Sequence, residues 1–185
     1  TLMRSSAASD VYKRQVYIDL NDINAYASYV NSIGGNIRLE VGEQDSLTYI
    51  AAEKLFMRGD NDGARRSLIN YLQTFPEGAF SSNANFYLGS IAFAKKEFDE
   101  AIQRFKSVIA SGDTKFLEES VARTAEIEYL SKDYPAALES FKRLQIVAEN
   151  PENRQAARLG IMRCALQTGQ QKDALLAADE LLKEP

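Results

Sequence analysis

Four alanines, Ala64, Ala101, Ala137 and Ala174, stand 37, 36 and 37 residues apart, and each opens an apolar stripe of the same layout. A bulky residue precedes each by eight: Phe56, Phe93, Tyr129 and Leu166. Self-similarity at a period of this size marks a chain of stacked helical units, none able to bury its apolar face alone. Arrays of that kind offer surfaces to partners and seldom enclose catalytic pockets, so the repeat already narrows function.

In register, the second helices of the units read Ala64/Ala101/Ala137/Ala174, then Leu68/Phe105/Phe141/Ala178, then Tyr71/Val108/Leu144/Leu181. The alanine lets the two helices of a pair approach closely, and the larger group four residues on fills the gap toward the neighbouring pair. Phe98, Ala101, Ile102, Phe105, Val108 and Ile109 cover one face of a 3.6-residue helix. The pattern predicts helix pairs over about 45–58 and 61–75, 82–95 and 98–110, 114–131 and 134–149, with a fourth pair opening at Asn150-Pro151 and turning at Gly169. Pro135 and Pro151 suit first helical turns, where a missing amide hydrogen costs little. Gly59-Asp60 makes the first turn, and Phe75-Pro76-Glu77-Gly78 the first exit, because proline cannot continue a helix.

Upstream, Asn21 or Asp22 is an N-cap candidate for a short helix with Ile23, Tyr26 and Val30 on its apolar side, closed by Gly34-Gly35. Ile37, Leu39 and Val41 then alternate with polar residues, a weak strand signal equally consistent with an extended connector. Thr1 to Gln15 matches nothing downstream. Its Ser/Ala-rich character predicts disorder, and the string also looks like translated adapter or assembly sequence joined to a reading frame. The organisation expected is a disordered or non-native leader (1–15), an N-terminal helix and connector (16–42), and a repeat domain (43–185) divided at about 43–79, 80–112, 113–149 and 150–185. The fold class is all-α, a right-handed superhelical solenoid of antiparallel helix pairs with about nine helices.

Composition excludes several classes of function. The chain of 185 residues has a net charge of −4, and Arg65-Arg66, Lys95-Lys96 and Lys142-Arg143 are isolated pairs with acidic neighbours. A nucleic-acid backbone would be repelled by such a surface. Histidine is absent, which removes the commonest general base and metal ligand. Cys164 is the single cysteine and lies among Ile161, Met162, Ala165 and Leu166, as a small core residue would. No apolar run approaches the roughly 20 residues that span a bilayer. Glycine-rich phosphate loops are missing, and Asp60-Asn61-Asp62-Gly63 resembles a calcium loop only at its start, since Tyr71 stands where the bidentate glutamate belongs. That segment reads better as a turn and cap. Glu118-Glu119 and Asp99-Glu100 read as solvated first-turn carboxylates, favoured by the helix dipole. No catalytic residue, cofactor or metal site is expected, and the chain is read as a non-enzyme.

The stretch YLGSIAFAKKEFDEAIQRF resembles the tetratricopeptide repeat: Leu88, Gly89, Ala101 and Phe105 match its Leu-Gly and its alanine-aromatic pair, and Pro76 matches its closing proline. Ala51-Ala52 and Thr124-Ala125 replace Leu-Gly in the first and third repeats, and Leu159-Gly160 is displaced by two residues in the fourth. The resemblance covers about 42–185. More narrowly, EQDSLTYIAAEKLFMRGD and YLQTFPEGAFSSNANFYLG are similar to multi-repeat cell-envelope proteins of the Bacteroidetes. That similarity implies a periplasmic or envelope location and neighbouring repeats in a longer parent chain.

In this family the first helix of each pair lines a concave groove. The resemblance therefore implies a partner-binding groove carrying Tyr49, Glu53, Phe56, Phe86, Phe93, Glu126 and Tyr129. Phe56, Phe93 and Tyr129 fit equally well as core wedges; Tyr49 and Phe86 are the stronger expected contacts. The inward positions Tyr49, Glu53, Phe86, Ser90, Ala122 and Glu126 lack the cations with which cochaperone members of the family hold a C-terminal carboxylate. The expected function is a non-catalytic scaffold that takes a peptide or helix of a protein partner. The alternative is a spacer within a larger envelope repeat protein, with no ligand of its own.

Overall fold

The computed structural model describes residues 2–33 and 39–183, with side chains from Ser9 onward. Ten helices occur among them: α1 (Leu2–Asp19), α2 (Ile23–Ser32), α3 (Val41–Met57), α4 (Asn61–Thr74), α5 (Ser81–Ala94), α6 (Phe98–Ser111), α7 (Leu117–Leu130), α8 (Tyr134–Val147), α9 (Pro151–Gln167) and α10 (Gln171–Lys183). The chain divides into two compact units, Thr1–Leu88 and Gly89–Pro185.

The helix beyond the expected nine is α1, which runs through the stretch expected to be disordered. Alanine is the best helix former, and from Asp10 onward the helix has partners. The Tyr29 hydroxyl donates to Asp10 Oδ1 at 3.0 Å, Lys13 Nζ donates to the Tyr29 oxygen at 2.8 Å, and the Tyr17 ring lies 5.7 Å from that of Tyr26. Ile18, Ile23, Tyr26, Val30, Leu47 and Ala51 then form one small core joining α1, α2 and α3. Asp22 caps α2 by accepting from the Ala25 amide at 3.0 Å.

The weak strand signal finds no strand among the described residues. Val41 opens α3, and Leu39 packs on the core of α1–α3; Ile37 and Gly34-Gly35 lie outside the described residues. The third pair begins at Leu117 instead of Thr114.

A single turn geometry explains why the pairs recur in register. Gly59, Lys96, Lys132 and Gly169 each stand five residues before a repeat alanine, and their φ angles are +81°, +61°, +63° and +74°. The amide of each donates three residues back, to Phe56, Phe93, Tyr129 and Leu166 respectively, at 2.9–3.4 Å. The next amide (Asp60, Glu97, Asp133, Gln170) reaches five residues back at 2.8–3.0 Å. This is the left-handed C-terminal motif that satisfies the last carbonyls of a helix. The bulky series that precedes the alanines by eight is thus the set of helix-end residues whose carbonyls close each turn. Asp60 and Asp133 then cap the following helix, accepting from the Gly63 and Ala136 amides at 2.9 and 3.3 Å. The acidic Asp60–Gly63 segment is a cap and turn.

The repeat alanines are 0–4 % exposed, as close helix approach demands. Facing helices supply small residues where the aromatic of the stripe must fit. A Cβ built on Gly89 would lie 2.8 Å from the Phe105 ring. Gly160 has the same need toward a different neighbour: its Cβ would lie 2.4 Å from the ring of Phe141, in the preceding pair. The two-residue displacement of Leu159-Gly160 therefore moves the glycine from a contact within its pair to a contact between pairs. Cys164 is buried in the core of α7–α10 with Val121, Ala157 and Ile161, and burial pushes its thiol pKa up.

Candidate partner-binding site

The expected groove residues fall in both units. In the first, Tyr49 and Glu53 lie one turn apart on α3, and the Tyr49 hydroxyl donates to Glu53 Oε1 at 2.6 Å. Tyr87 donates to the same oxygen at 3.0 Å, and Asn83 Nδ2 donates to the Tyr49 oxygen at 3.1 Å. Burial, reinforced by these bonds to Glu53, raises the pKa of both tyrosines, so both stay neutral donors at physiological pH. Tyr49 is 2 % exposed, and its ring stacks on Phe80 at 4.4 Å and 3°. That is a core position, which corrects the expectation of direct contact at Tyr49. Its phenol head finds a partly buried acceptor in Glu53, so the ring can be packed without an orphaned hydroxyl. Phe56 is half-buried against Tyr87 at 4.5 Å between centroids, and Phe86 is half-buried beside Tyr87 at 5.8 Å.

In the second unit the structure brings Glu126 and Tyr129 into a cleft of about 380 Å³ between α7 and α9. One wall is α7, with Glu119, Ala122, Arg123, Glu126, Tyr129 and Leu130; the floor is Phe141 and Leu144 of α8. The opposite wall is α9, with Asn153, Ala156, Leu159, Gly160 and Arg163. Tyr129 stands edge-on to Tyr134 and Phe141 at 5.7 and 6.5 Å, so it is both wedge and wall. Leu130 is 54 % exposed and puts an unspent apolar side chain at the rim.

Arg123 fixes the charge pattern of the α7 wall. Its Nε donates to Glu119 Oε1 at 2.8 Å and its Nη1 to Glu126 Oε2 at 2.9 Å. The guanidinium carbon lies 4.9 Å from the centroid of Phe93, the cation–π arrangement arginine favours. Phe93 therefore serves as a platform for Arg123, and it also packs on Phe98 at 6.0 Å. Two carboxylates against one guanidinium leave the α7 wall net negative, whereas Arg163 makes the α9 wall positive. Arg123, Leu130, Leu159 and Arg163 escaped the sequence reading. The available signal was the spacing of Glu119, Arg123 and Glu126, at four and three residues, which suits ion pairs along one helix face.

Glu118 departs from its expected role as a solvated carboxylate. It accepts from the Glu149 amide at 2.9 Å, the Asn150 amide at 3.1 Å and Asn153 Nδ2 at 2.7 Å. Burial alone would raise its pKa, but the donors from Asn153, Glu149 and Asn150, with Arg154 nearby, outweigh it and hold the carboxyl below the usual value. Asp45 occupies the matching place in the first unit, also 19 residues before a repeat alanine. It accepts from the Tyr71 hydroxyl at 2.5 Å and the Ala79 amide at 2.9 Å.

Among the described residues no cluster of acidic or thiol groups could hold a metal ion, and no helix is long and apolar enough to cross a membrane. Residues 51–114 match the tetratricopeptide repeat family. No curated protein matches the chain in sequence. A structure of MamA from AMB-1 superposes with a TM-score of 0.66 at 15% identity, covering 96% of this chain and 92% of that one. A second MamA structure gives 0.58 at 14% identity, over 80% of this chain and 95% of that one. A Podosopora anserina kinesin light chain of nearly identical TPR-like repeats gives 0.54 at 14% identity, over 96% and 93%. In fold the chain is all-α, with helix pairs like those of the tetratricopeptide-repeat solenoids it superposes on.

Proposed function

We propose that the chain is a non-catalytic protein-interaction scaffold, and that the cleft between α7 and α9 takes a peptide or helix of a protein partner. The observation that carries this reading is the composition of the cleft. An apolar floor and rim (Phe141, Leu144, Leu159 and the exposed Leu130) lie between walls of opposite charge. Ligand sites combine apolar area with a few polar groups that fix orientation in this way. Tyr129 supplies the rigid aromatic surface on which binding energy concentrates. The preferred ligand has an apolar side chain for the floor, a basic group for Glu119 and Glu126, and an acidic group for Arg163. Of the residues expected from sequence, Glu126 and Tyr129 touch the ligand in this proposal. Phe93 positions Arg123, Tyr49 supports the first unit from within, and Glu53, Phe56 and Phe86 belong to the first unit and not to this cleft. The envelope resemblance adds a periplasmic or envelope location to the proposal, which cell fractionation tests.

The binding test uses the immobilised chain to capture proteins from cell extract, followed by a direct titration of each captured protein. Wild type is compared with Leu130→Glu and Arg163→Glu, both at exposed positions. Weakening by tenfold or more at unchanged melting temperature supports the cleft. A partner that binds both variants as wild type removes the cleft from the proposal, and absence of any specific partner favours the spacer reading.

A further inference from the structure

The two walls of the cleft belong to different helix pairs, so something must hold their spacing. We infer that Glu118 is a positioning residue that latches the start of α9 to α7 and thereby fixes the mouth of the cleft. The inference rests on the proposed binding role of that cleft for its functional meaning, but not for its geometry.

Glu118 stands in the first turn of α7, the helix that carries Glu119, Glu126 and Leu130 on the cleft wall. Its oxygens receive two consecutive main-chain amides of the segment entering α9 and the side chain of Asn153, itself a cleft residue. A carboxylate with three N–H donors is a charge-assisted clamp, stronger than neutral bonds of the same geometry. Asn150 cannot serve those donors, because its side chain is spent capping α9 on the Glu152 amide at 2.8 Å. Packing elsewhere along α7 and α9 resists sliding, and Glu118 adds three hydrogen bonds that tie the α7 start to the 149–153 segment. Asp45, the acid at the same repeat position in the first unit, likewise holds the Ala79 amide ahead of α5.

The charged groups around the latch make it sensitive to acid. Glu119 is its neighbour on α7 and is turned to Arg123. From the entering segment come the backbone of Glu149 and, on α9, Glu152 and Arg154; Arg154 Nη1 donates to the Glu149 carbonyl at 2.7 Å. Arg154 favours the ionised latch, so protonation of Glu118 removes both the charge assistance and the pairing. Acidification should therefore loosen the α9 start before it unfolds the unit.

The test is nuclear magnetic resonance on the full chain without any partner, following the amides of Glu149 and Asn150 and the methyl groups of Leu130 and Leu159. Glu118→Gln is compared with wild type at neutral pH, and wild type is titrated into acid with helicity monitored in parallel. In Glu118→Gln, hydrogen exchange at residues 149 and 150 should accelerate about tenfold or more, the loss of one bond to a charged acceptor. The cleft methyl shifts should move in the same variant. In wild type, both sets should titrate together at a midpoint below that of an ordinary carboxylate. Should Glu118→Gln fail to fold, the wild-type titration decides alone. Amides that respond while the cleft methyls stay put would leave a local cap with no hold on the cleft, and unchanged amides would remove the latch itself. Because no ligand enters the measurement, failure of the scaffold proposal and failure of the latch give different results.

Discussion

Gly89 faces Phe105 so closely that one methyl group should be felt, and the structure supplies the numbers. A Cβ at Gly89 would meet ring atoms of Phe105 at 2.8, 3.0 and 3.1 Å, and Phe105 is 1 % exposed, with no solvent to retreat into. Alanine in place of a mid-helix glycine normally stabilises by about 1 kcal/mol, whereas overpacking a core costs about 1–3 kcal/mol. Gly89→Ala should therefore destabilise by about 0–2 kcal/mol where helix propensity alone predicts a gain. Phe105→Leu should cost about 1–2 kcal/mol through lost packing. The double variant recreates the pair that the first repeat already uses, Ala52 with Leu68, both fully buried. It should be more stable than the sum of the single changes by about 1 kcal/mol or more, within the coupling range of residues in contact. Equilibrium urea unfolding of the four proteins closes the cycle. Additivity within about 0.5 kcal/mol, or a net gain for Gly89→Ala alone, would refute the argument that glycine is there to admit the ring.

Lys96 and Lys132 occupy left-handed turns at φ +61° and +63° where the first and fourth repeats place glycine. Lys96→Gly and Lys132→Gly should each stabilise by about 0.5–1 kcal/mol, read as a higher urea midpoint. Glu97 has the backbone of an N-cap (φ −82°, ψ 66°) but makes no capping bond, while Asp60 and Asp133 at nearly the same angles do. Glu97→Asp should therefore raise stability by about 0.5–1 kcal/mol, and an unchanged midpoint would count against it. Glu118 has a lowered folded pKa, so its stabilising contribution is complete above the unfolded carboxylate value, about pH 4.3, and fades as pH falls through the folded value. The stability gap between wild type and Glu118→Gln should follow that course in a pH series of urea melts.

The fold was legible because the repeat writes its physics in residue types. Small residues mark where helices touch, large ones four residues on fill the space between pairs, and glycine or proline marks where a helix stops. The boundaries of α4 to α10 follow closely from those signals, with the third pair starting three residues late because Thr114 to Phe116 carry no apolar period to define the helix start. Helix α3 starts at Val41, four residues before the expected start and inside the segment read as a strand or connector. What misled was composition: a Ser/Ala-rich stretch with no repeat partner reads as disorder, yet it has high helix propensity and, from Asp10, a tyrosine cluster to pack on. Composition describes average solvation and says little about a helix held by the stacking of Tyr17 on Tyr26 and Tyr29.

The site was harder to read because periodicity ranks positions by face and not by depth. Tyr49, Phe56 and Glu53 share a face of α3, but only the structure shows Phe80 stacked over Tyr49 and Glu53 bridging two phenols. Phe80 lies in the exit loop, outside any helical period, so no stripe could have announced that Tyr49 was covered. Arg123 was missed for the opposite reason. A basic residue flanked by glutamates reads as a solvated face, and its role emerges only when Phe93 from the preceding pair is found beneath it. Such contacts join residues about 30 apart, close to one repeat length. Comparing each position with its counterpart one repeat on, and not with its helical neighbours, is what finds them. Read that way, the acid 19 residues before a repeat alanine is visible in Asp45 and Glu118, and so is the segment each holds. An array of this kind is specified as much between repeats as within them, and the cleft proposed as a binding surface lies where that second layer of pairing leaves the apolar side chain of Leu130 uncovered.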